Sequence, residues 1–365
     1  MRKRKGRFPL LPLLLCLVPL SLGLGTEKKD SLSFSSPAFR VGSHMQLGKE
    51  AALQGLTSFR KTYHLDENAL APEPDARCYD ILYSAEEVLA LFDRAAALLN
   101  GREPLFCADT PFDTERGVRC YCDESILVLV WYQQVEEAGR PVYHPATMAE
   151  IFLADGSQFR RALSGDSFGS ELLKYPTDMA TEVNAVFASS GDFYRYRGEG
   201  FCVWNAELCR LRADKVDSCA VDSRGELLFI PAGSLQSEEE ARAYIAEHDV
   251  RFTLSFGPIL VENHESVHPD FYYDVGEAHE RFPRLILSQW GELHYVEMAV
   301  KDQLTVFEAG DILKVMGAER CYALDGGQTA TLVMEGTALN PGLYGEGNGA
   351  QRTQSDIIYF ASAIR

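Results

Sequence analysis

The stretch richest in chemistry is Cys321-Tyr322-Ala323-Leu324-Asp325-Gly326-Gly327-Gln328-Thr329-Ala330-Thr331-Leu332-Val333. An apolar run delivers a carboxylate onto two glycines and a hydroxyl cluster before apolar residues resume. Adjacent glycines permit backbone angles closed to other residues and leave little bulk beside Asp325. On its own the pattern also fits a strand-turn-strand hairpin, since Asp-Gly is a strong two-residue turn. A second acid has comparable surroundings. Residues 184–188 read as a strand that opens onto Ser189-Ser190-Gly191-Asp192-Phe193-Tyr194-Arg195-Tyr196-Arg197-Gly198. Aromatic faces suit a sugar ring, guanidinium groups suit phosphate and a carboxylate suits proton transfer, so a sugar bearing negative charge fits here. The plainer alternative is a surface turn capped by Asp192. Arg352 stands where a Gly/Asn-rich loop beginning at Asn340-Pro341 enters a final strand. It can reach over neighbouring strand ends or pair with a surface carboxylate.

His264-Glu265-Ser266-Val267-His268 matches the pattern in which two histidines one helical turn apart bind zinc. That chemistry needs a helix. Here the segment follows Ser255-Phe256-Gly257-Pro258, a strand and turn, and Pro269 pushes His268 away from helical angles. No metal site and no cofactor are expected, and zinc hydrolysis through these histidines is an outside alternative.

The elements that would position these residues alternate irregularly. Ser84 with Glu87 caps a helix whose apolar face runs Val88, Leu91, Phe92, Ala95, Leu98 and Leu99 up to Asn100-Gly101. Ser237 with Glu240 starts a second helix ending near His248. Thr305 with Glu308 starts a third, stopped by Gly317. Strands are expected at 126–132, 148–153, 251–256, 285–288 and 293–300. Without a regular strand–helix repeat, the fold class is α+β, with mixed β-sheets and packed helices in a single large domain plus an N-terminal accessory region. The expected divisions are 1–25, a signal peptide or N-terminal anchor; 26–77, a polar linker; 78–140, an accessory α/β region; and 141–365, the main domain.

The formal net charge of the 365 residues is −18, and the basic head holds five of the 35 basic residues. Without it the body carries 30 basic against 53 acidic residues, a net −23. Such a surface repels nucleic acid and anionic lipid, so neither is an expected partner, and phosphate chemistry would need locally placed arginines. The head itself has Arg2, Lys3, Arg4, Lys5 and Arg7 before an apolar run from Phe8 to Leu24, with Gly23-Leu24-Gly25 as a cleavage site. Cleaved or retained, it places the body outside the cytoplasm, with membrane contact only through this segment. Eight cysteines follow the head, an even number that allows disulfides in such a compartment. Cys78 with Cys107 or Cys120, and Cys202 with Cys219, are the pairs considered, and the spacing does not fix the connectivity.

Four blocks in one order carry a resemblance: Gly191-Asp192-Phe193-Tyr194; Ser255-Phe256-Gly257-Pro258; Ala323-Leu324-Asp325-Gly326-Gly327 with Thr329-Ala330-Thr331; and Arg352 with Ser355-Asp356-Ile357-Ile358-Tyr359-Phe360. From about Tyr143 to Arg365 the chain resembles the phosphodiester glycosidase family, which includes the lysosomal uncovering enzyme and exported bacterial members associated with exopolysaccharide. The resemblance implies hydrolysis of a sugar-1-phosphodiester at the anomeric C–O bond of a surface or extracellular glycan. It implies Asp192 and Asp325 as the catalytic carboxylates. Gly191, Tyr194, Gly257, Gly326, Gly327 and Thr329 would line the substrate, and Arg352, with Arg197 or Arg284, would hold the phosphate.

The chain also departs from the family pattern. Ser190 replaces an asparagine, Pro283-Arg284-Leu285-Ile286-Leu287-Ser288 replaces Pro-Arg-Thr-Ala-Ile-Gly, and Gln328-Thr329-Ala330 replaces Gly-Ser-Ser. Val296-Glu297-Met298-Ala299-Val300 lacks the arginine of an Asp-Gly-Arg strand end. Two function classes follow: an exported hydrolase, or a relative that binds surface glycans without turnover.

Overall fold

The structure, a computed structural model, describes residues 63–364 except 67, 166, 193, 270–271, 273–277 and 340–350. The head, most of the expected linker, Phe193 and the loop beginning at Asn340-Pro341 lie outside the described residues.

Two antiparallel sheets face each other. The larger has nine strands in the spatial order Tyr79–Leu82, Val118–Cys122, Ile126–Glu136, Tyr143–Leu153, His294–Leu304, Phe282–Gly291, Arg320–Leu324, Ile259–Glu262 and Glu265–Ser266. Its central strands are apolar almost throughout because both faces are covered, which removes the alternation that a half-solvated strand would show. On one face Leu127, Leu129, Trp131, Met148, Phe152, Ile286 and Met298 pack under the helices Ala85–Arg94 and Val306–Met316. On the other, Val128, Val130, Ile151, Leu285, Leu287 and Leu324 meet Phe187, Leu332, Ile358 and Phe360 of the second sheet.

That second sheet has five strands, ordered Thr337–Ala338, Leu332–Met334, Ala185–Ser190, Asp356–Ala361 and Phe159–Leu163. Its outer face is covered by the helix Pro176–Glu182. Leu65 and Ala71 also pack there, so the last part of the segment expected as a linker is integrated into the fold. The hydroxyl of Tyr63 donates to Glu124 at 2.7 Å, and Arg160 donates to the carbonyls of Asp66 and Ala69. A smaller subdomain packs the helix Glu238–His248 on the strands Ser218–Asp222, Leu227–Ile230 and Val250–Leu254, next to the hairpin of Gly200–Trp204 and Glu207–Arg212.

The segment 78–140 does not sit on the main domain as a separate layer. Its strands continue the large sheet edgewise: Ile126–Glu136 pairs with Tyr143–Leu153, which pairs in turn with His294–Leu304. The first helix stops at Arg94 and a short one covers Ala96–Leu99, so the continuous helix expected through Leu99 is broken at Ala95. All eight described cysteines are free thiols, in place of the disulfides considered above. Cys120 lies opposite Asp80 in its strand pair, and the Cys202 sulfur accepts a hydrogen bond from Arg210.

Candidate active site

Strand 320–324 and strand 332–334 do not form a hairpin with each other. Arg320–Leu324 pairs with Phe282–Gly291 in the large sheet, whereas Leu332–Met334 pairs with Ala185–Ser190 in the smaller one. The hairpin alternative is thereby replaced: Asp325-Gly326-Gly327-Gln328-Thr329-Ala330-Thr331 is a crossing between two sheets. Gly326 is required there, since a Cβ would stand 2.7 Å from the carbonyl oxygen of Pro283. The Thr329 hydroxyl donates to the Gly326 carbonyl and closes a single 3-10 turn at Gly327–Thr329.

Three chain segments meet at this crossing. The amide of Asp325 donates to the Gly191 carbonyl at 3.2 Å, which ties the end of one sheet to the end of the other. The amide of Thr331 donates to the Ser190 hydroxyl at 3.1 Å. Gln354 donates from Nε2 to Ser190 Oγ at 3.0 Å and to the Thr329 carbonyl at 2.9 Å. Asp192, Asp325 and Arg352, scattered through the sequence, therefore border one narrow opening with Tyr196, Thr329 and Ser355.

Beneath the opening lies a cluster absent from the expectations above. The fully buried Arg161, from strand Phe159–Leu163, stands between two carboxylates, 3.0 Å from Asp192 and 2.9 Å from Asp356. Its third hydrogen bond goes to the Thr253 carbonyl. Asp192 also accepts from the amides of Tyr194 at 2.7 Å and Ser255 at 2.8 Å. Its side chain is 0% exposed and each oxygen already accepts a hydrogen bond, so Asp192 borders the opening as a buried, partnered carboxylate. Burial alone would weaken the Arg161 cation, but the two carboxylates raise its pKa. Burial likewise raises the Asp356 carboxyl, with Arg161 pulling the other way. Gly191 allows the close packing, because a Cβ there would stand 2.0 Å from Asp356 Oδ2. Tyr194, 2% exposed, backs the cluster with its ring over Arg161 at 5.2 Å and is stacked on Phe168. It offers no face to a sugar.

Asp325 differs from Asp192. It is only partly buried, and its carboxyl is pushed up to about 7. Desolvation is the main cause; a Thr329 hydrogen bond and the cations Arg352 and Arg197 oppose it, while Asp192 adds to it. Near neutral pH both protonation states are accessible. Arg352 is exposed at the rim, with no ion pair to any carboxylate among the described residues. Tyr196, 47% exposed, is the aromatic that does face the opening. It stood in the block around Asp192, but neighbouring aromatics differ in burial in ways the sequence does not display.

The remaining arginines lie elsewhere. Arg197 and Arg284 line a second small opening with Phe256, Gly257 and Pro258. Arg197 donates to the carbonyls of Ser255 and Phe256, and Arg284 to those of Leu304 and Glu280. Arg284 lines that second opening and not the one bordered by Arg352, while Arg197 is near enough to Asp325 to favour its ionised form and has a buried Nε unpaired among the described residues. Gly257, at φ +70°, packs against Tyr272 and lines the second opening, not the one at Asp325. His264 and His268 flank the short strand Glu265–Ser266 and share no helix. His268 Nε2 is 3.0 Å from Asp311. No group of three metal-ligating side chains occurs among the described residues.

Comparison with known proteins agrees with this architecture. Residues 183–361 match the family model described as phosphodiester glycosidase, a shorter span than the resemblance read from about Tyr143. No curated protein matches the sequence. Among solved structures, the zebrafish N-acetylglucosamine-1-phosphodiester alpha-N-acetylglucosaminidase catalytic domain, auto-inhibited by its pro-peptide, aligns over 65% of this chain and 84% of that one. The identity is 15% and the TM-score 0.51, a likeness of fold. A hypothetical protein from Synechocystis aligns over 70% of this chain and 65% of that one, at 13% identity and a TM-score of 0.46.

Proposed function

We propose that residues 183–361, which match the phosphodiester glycosidase family model, act as a divergent domain of that kind and that the protein hydrolyses a sugar-1-phosphodiester in a surface or extracellular glycan. The observation that carries this reading is that Asp325, poised near neutrality, and the exposed Arg352 border one opening. The family supports glycosidase-type chemistry, and the basic and apolar head supports a location outside the cytoplasm.

In the proposed reaction water adds to the anomeric carbon, the C1–O bond breaks, and the phosphate leaves with the other partner as a monoester. Such a monoester has a second pKa of about 6, so it departs near neutral pH without a strong general acid. The greater demands are activation of water, stabilisation of an oxocarbenium-like centre and neutralisation of the departing phosphate. Ionised Asp325 meets the first two, and Arg352 meets the third with guanidinium donors. Tyr196 offers a ring face to the sugar. Asp192 acts as a positioning residue: through Arg161 and Asp356 it fixes the backbone of Gly191, which holds the amide of Asp325.

The test is sugar release from a panel of sugar-1-phosphate diesters by residues 26–365 and by the Asp325→Asn variant. Turnover that disappears in a folded variant supports the proposal, and equal rates remove Asp325 from the chemistry. Retained glycan binding without turnover on any diester would favour a binding module instead.

A further inference from the structure

A groove of about 560 Å³, far larger than the opening at Asp325, also borders the crossing. One wall is Gly327 and Ala330 of the crossing, whose Asp325 and Thr329 border the opening, so the same loop lines both spaces. The rest comes largely from the part of the chain before residue 183, outside the family match, through Phe112, Arg116, Tyr132 and Gln134.

The strand register shows where the groove leads. Gln133 is opposite Ala146, Ala146 opposite Val300, and Val300 opposite Arg284. Leu285 is opposite Leu324, so the same row of the sheet continues from Arg284 to Asp325. Four strand spacings of about 4.8 Å put Gln133 about 19 Å from Asp325 across the sheet, a length of several linked sugar rings; Ala146, Val300 and Arg284 between them are buried, and the groove passes beside them over Pro145, Pro283 and Lys301. The lining suits such a chain. Phe112 is a partly exposed ring, Gln134 an exposed amide, and Arg116 and Lys301 are exposed cations on a chain of net charge −18. Arg116 lies over the Tyr132 ring at 4.5 Å and is 3.5 Å from Asp113, whereas the Lys301 ammonium has no ion pair among the described residues. An aromatic-backed Arg116 and an exposed Lys301 lining one groove of an acidic chain suit an anionic saccharide.

We propose that this groove is a binding subsite for the part of an anionic glycan that lies on the phosphate side of the scissile bond, several sugar units long. The inference rests on the reaction proposed above but can be tested apart from it. In the full chain, kcat/KM would be compared for a long anionic oligosaccharide diester and a short alkyl diester of the same sugar, before and after Lys301→Glu and Phe112→Ala. The expected result is a preference for the long substrate that falls at least tenfold in either variant. Separately, calorimetry with the Asp325→Asn protein and a tetrasaccharide carrying one phosphate monoester should show binding that Lys301→Glu weakens at least tenfold. Groove-dependent binding without any turnover would overturn the hydrolase reading and leave the subsite standing. Loss of the same size on long and short substrates, or tetrasaccharide binding that is absent or insensitive to Lys301→Glu, would overturn the subsite.

Discussion

At the scale of single residues, the two aspartates that the motifs make equivalent have opposite situations. Asp192 directs its oxygens to Arg161 and two amides, while Asp325, a partly buried residue, has a carboxyl that desolvation raises to about 7. If ionised Asp325 activates water, kcat/KM should rise with pH through about 7 and level off above it; activity that falls over that range would assign it the acid role instead. Arg352 makes a different prediction. Its exposed guanidinium serves phosphate in the substrate and in the transition state alike, so Arg352→Ala should raise KM by about tenfold to a hundredfold and change kcat less. Steady-state kinetics on a soluble diester separates these effects, and a loss confined to kcat would move Arg352 from binding to transition-state stabilisation.

At the scale of elements, helix starts were legible because capping is local. Ser84 with Glu87 and Thr305 with Glu308 form the capping boxes that their spacing predicts, and Gly317 stops its helix in the left-handed region. The crossing at 325–331 was not legible as a crossing. A turn sequence specifies the local chain reversal, whereas the sheet each flanking strand joins is decided by distant partners, residues 285–289 for one and 187–189 for the other. Arg161 left one usable sign. It follows Arg160 in an apolar strand, and successive side chains point to opposite faces, so one of the two must face inward. Its role sets a prediction for the strand. Arg161→Met should cost about 3–5 kcal/mol in a denaturant titration, because two buried carboxylates lose their shared cation. Adding Asp192→Asn and Asp356→Asn should recover part of that loss. A single-variant cost under about 1 kcal/mol would show that the cluster relaxes without its cation.

At the scale of the whole molecule, the tight seam between the two sheets includes one misfit. Glu297, in the middle of strand His294–Leu304, is 0% exposed, and neither carboxylate oxygen has a partner in hydrogen-bonding geometry among the described residues. Burial pushes its carboxyl up to about 8, and the nearby Ser189 hydroxyl opposes that only in part. Between its ordinary value of 4.5 and about 8, the folded chain holds a proton that the unfolded chain has released. Its contribution to stability is therefore full below the unfolded pKa and is lost progressively as pH rises towards the folded one. Asp325 acts in the same direction, from 3.8 to about 7, and the net charge of −18 adds repulsion as carboxylates ionise. Salt separates these causes: surface repulsion is screened, whereas a charge forming inside the seam is not. Glu297→Gln should accordingly reduce the fall in stability between pH 5 and pH 9 by on the order of 2 kcal/mol. The reduction should persist in molar salt, read from denaturation midpoints at each pH. If the variant tracks the parent at every pH, the Glu297 carboxyl ionises in the seam without penalty, through a contact or rearrangement that also frees the junction of the two sheets from any pH-dependent strain.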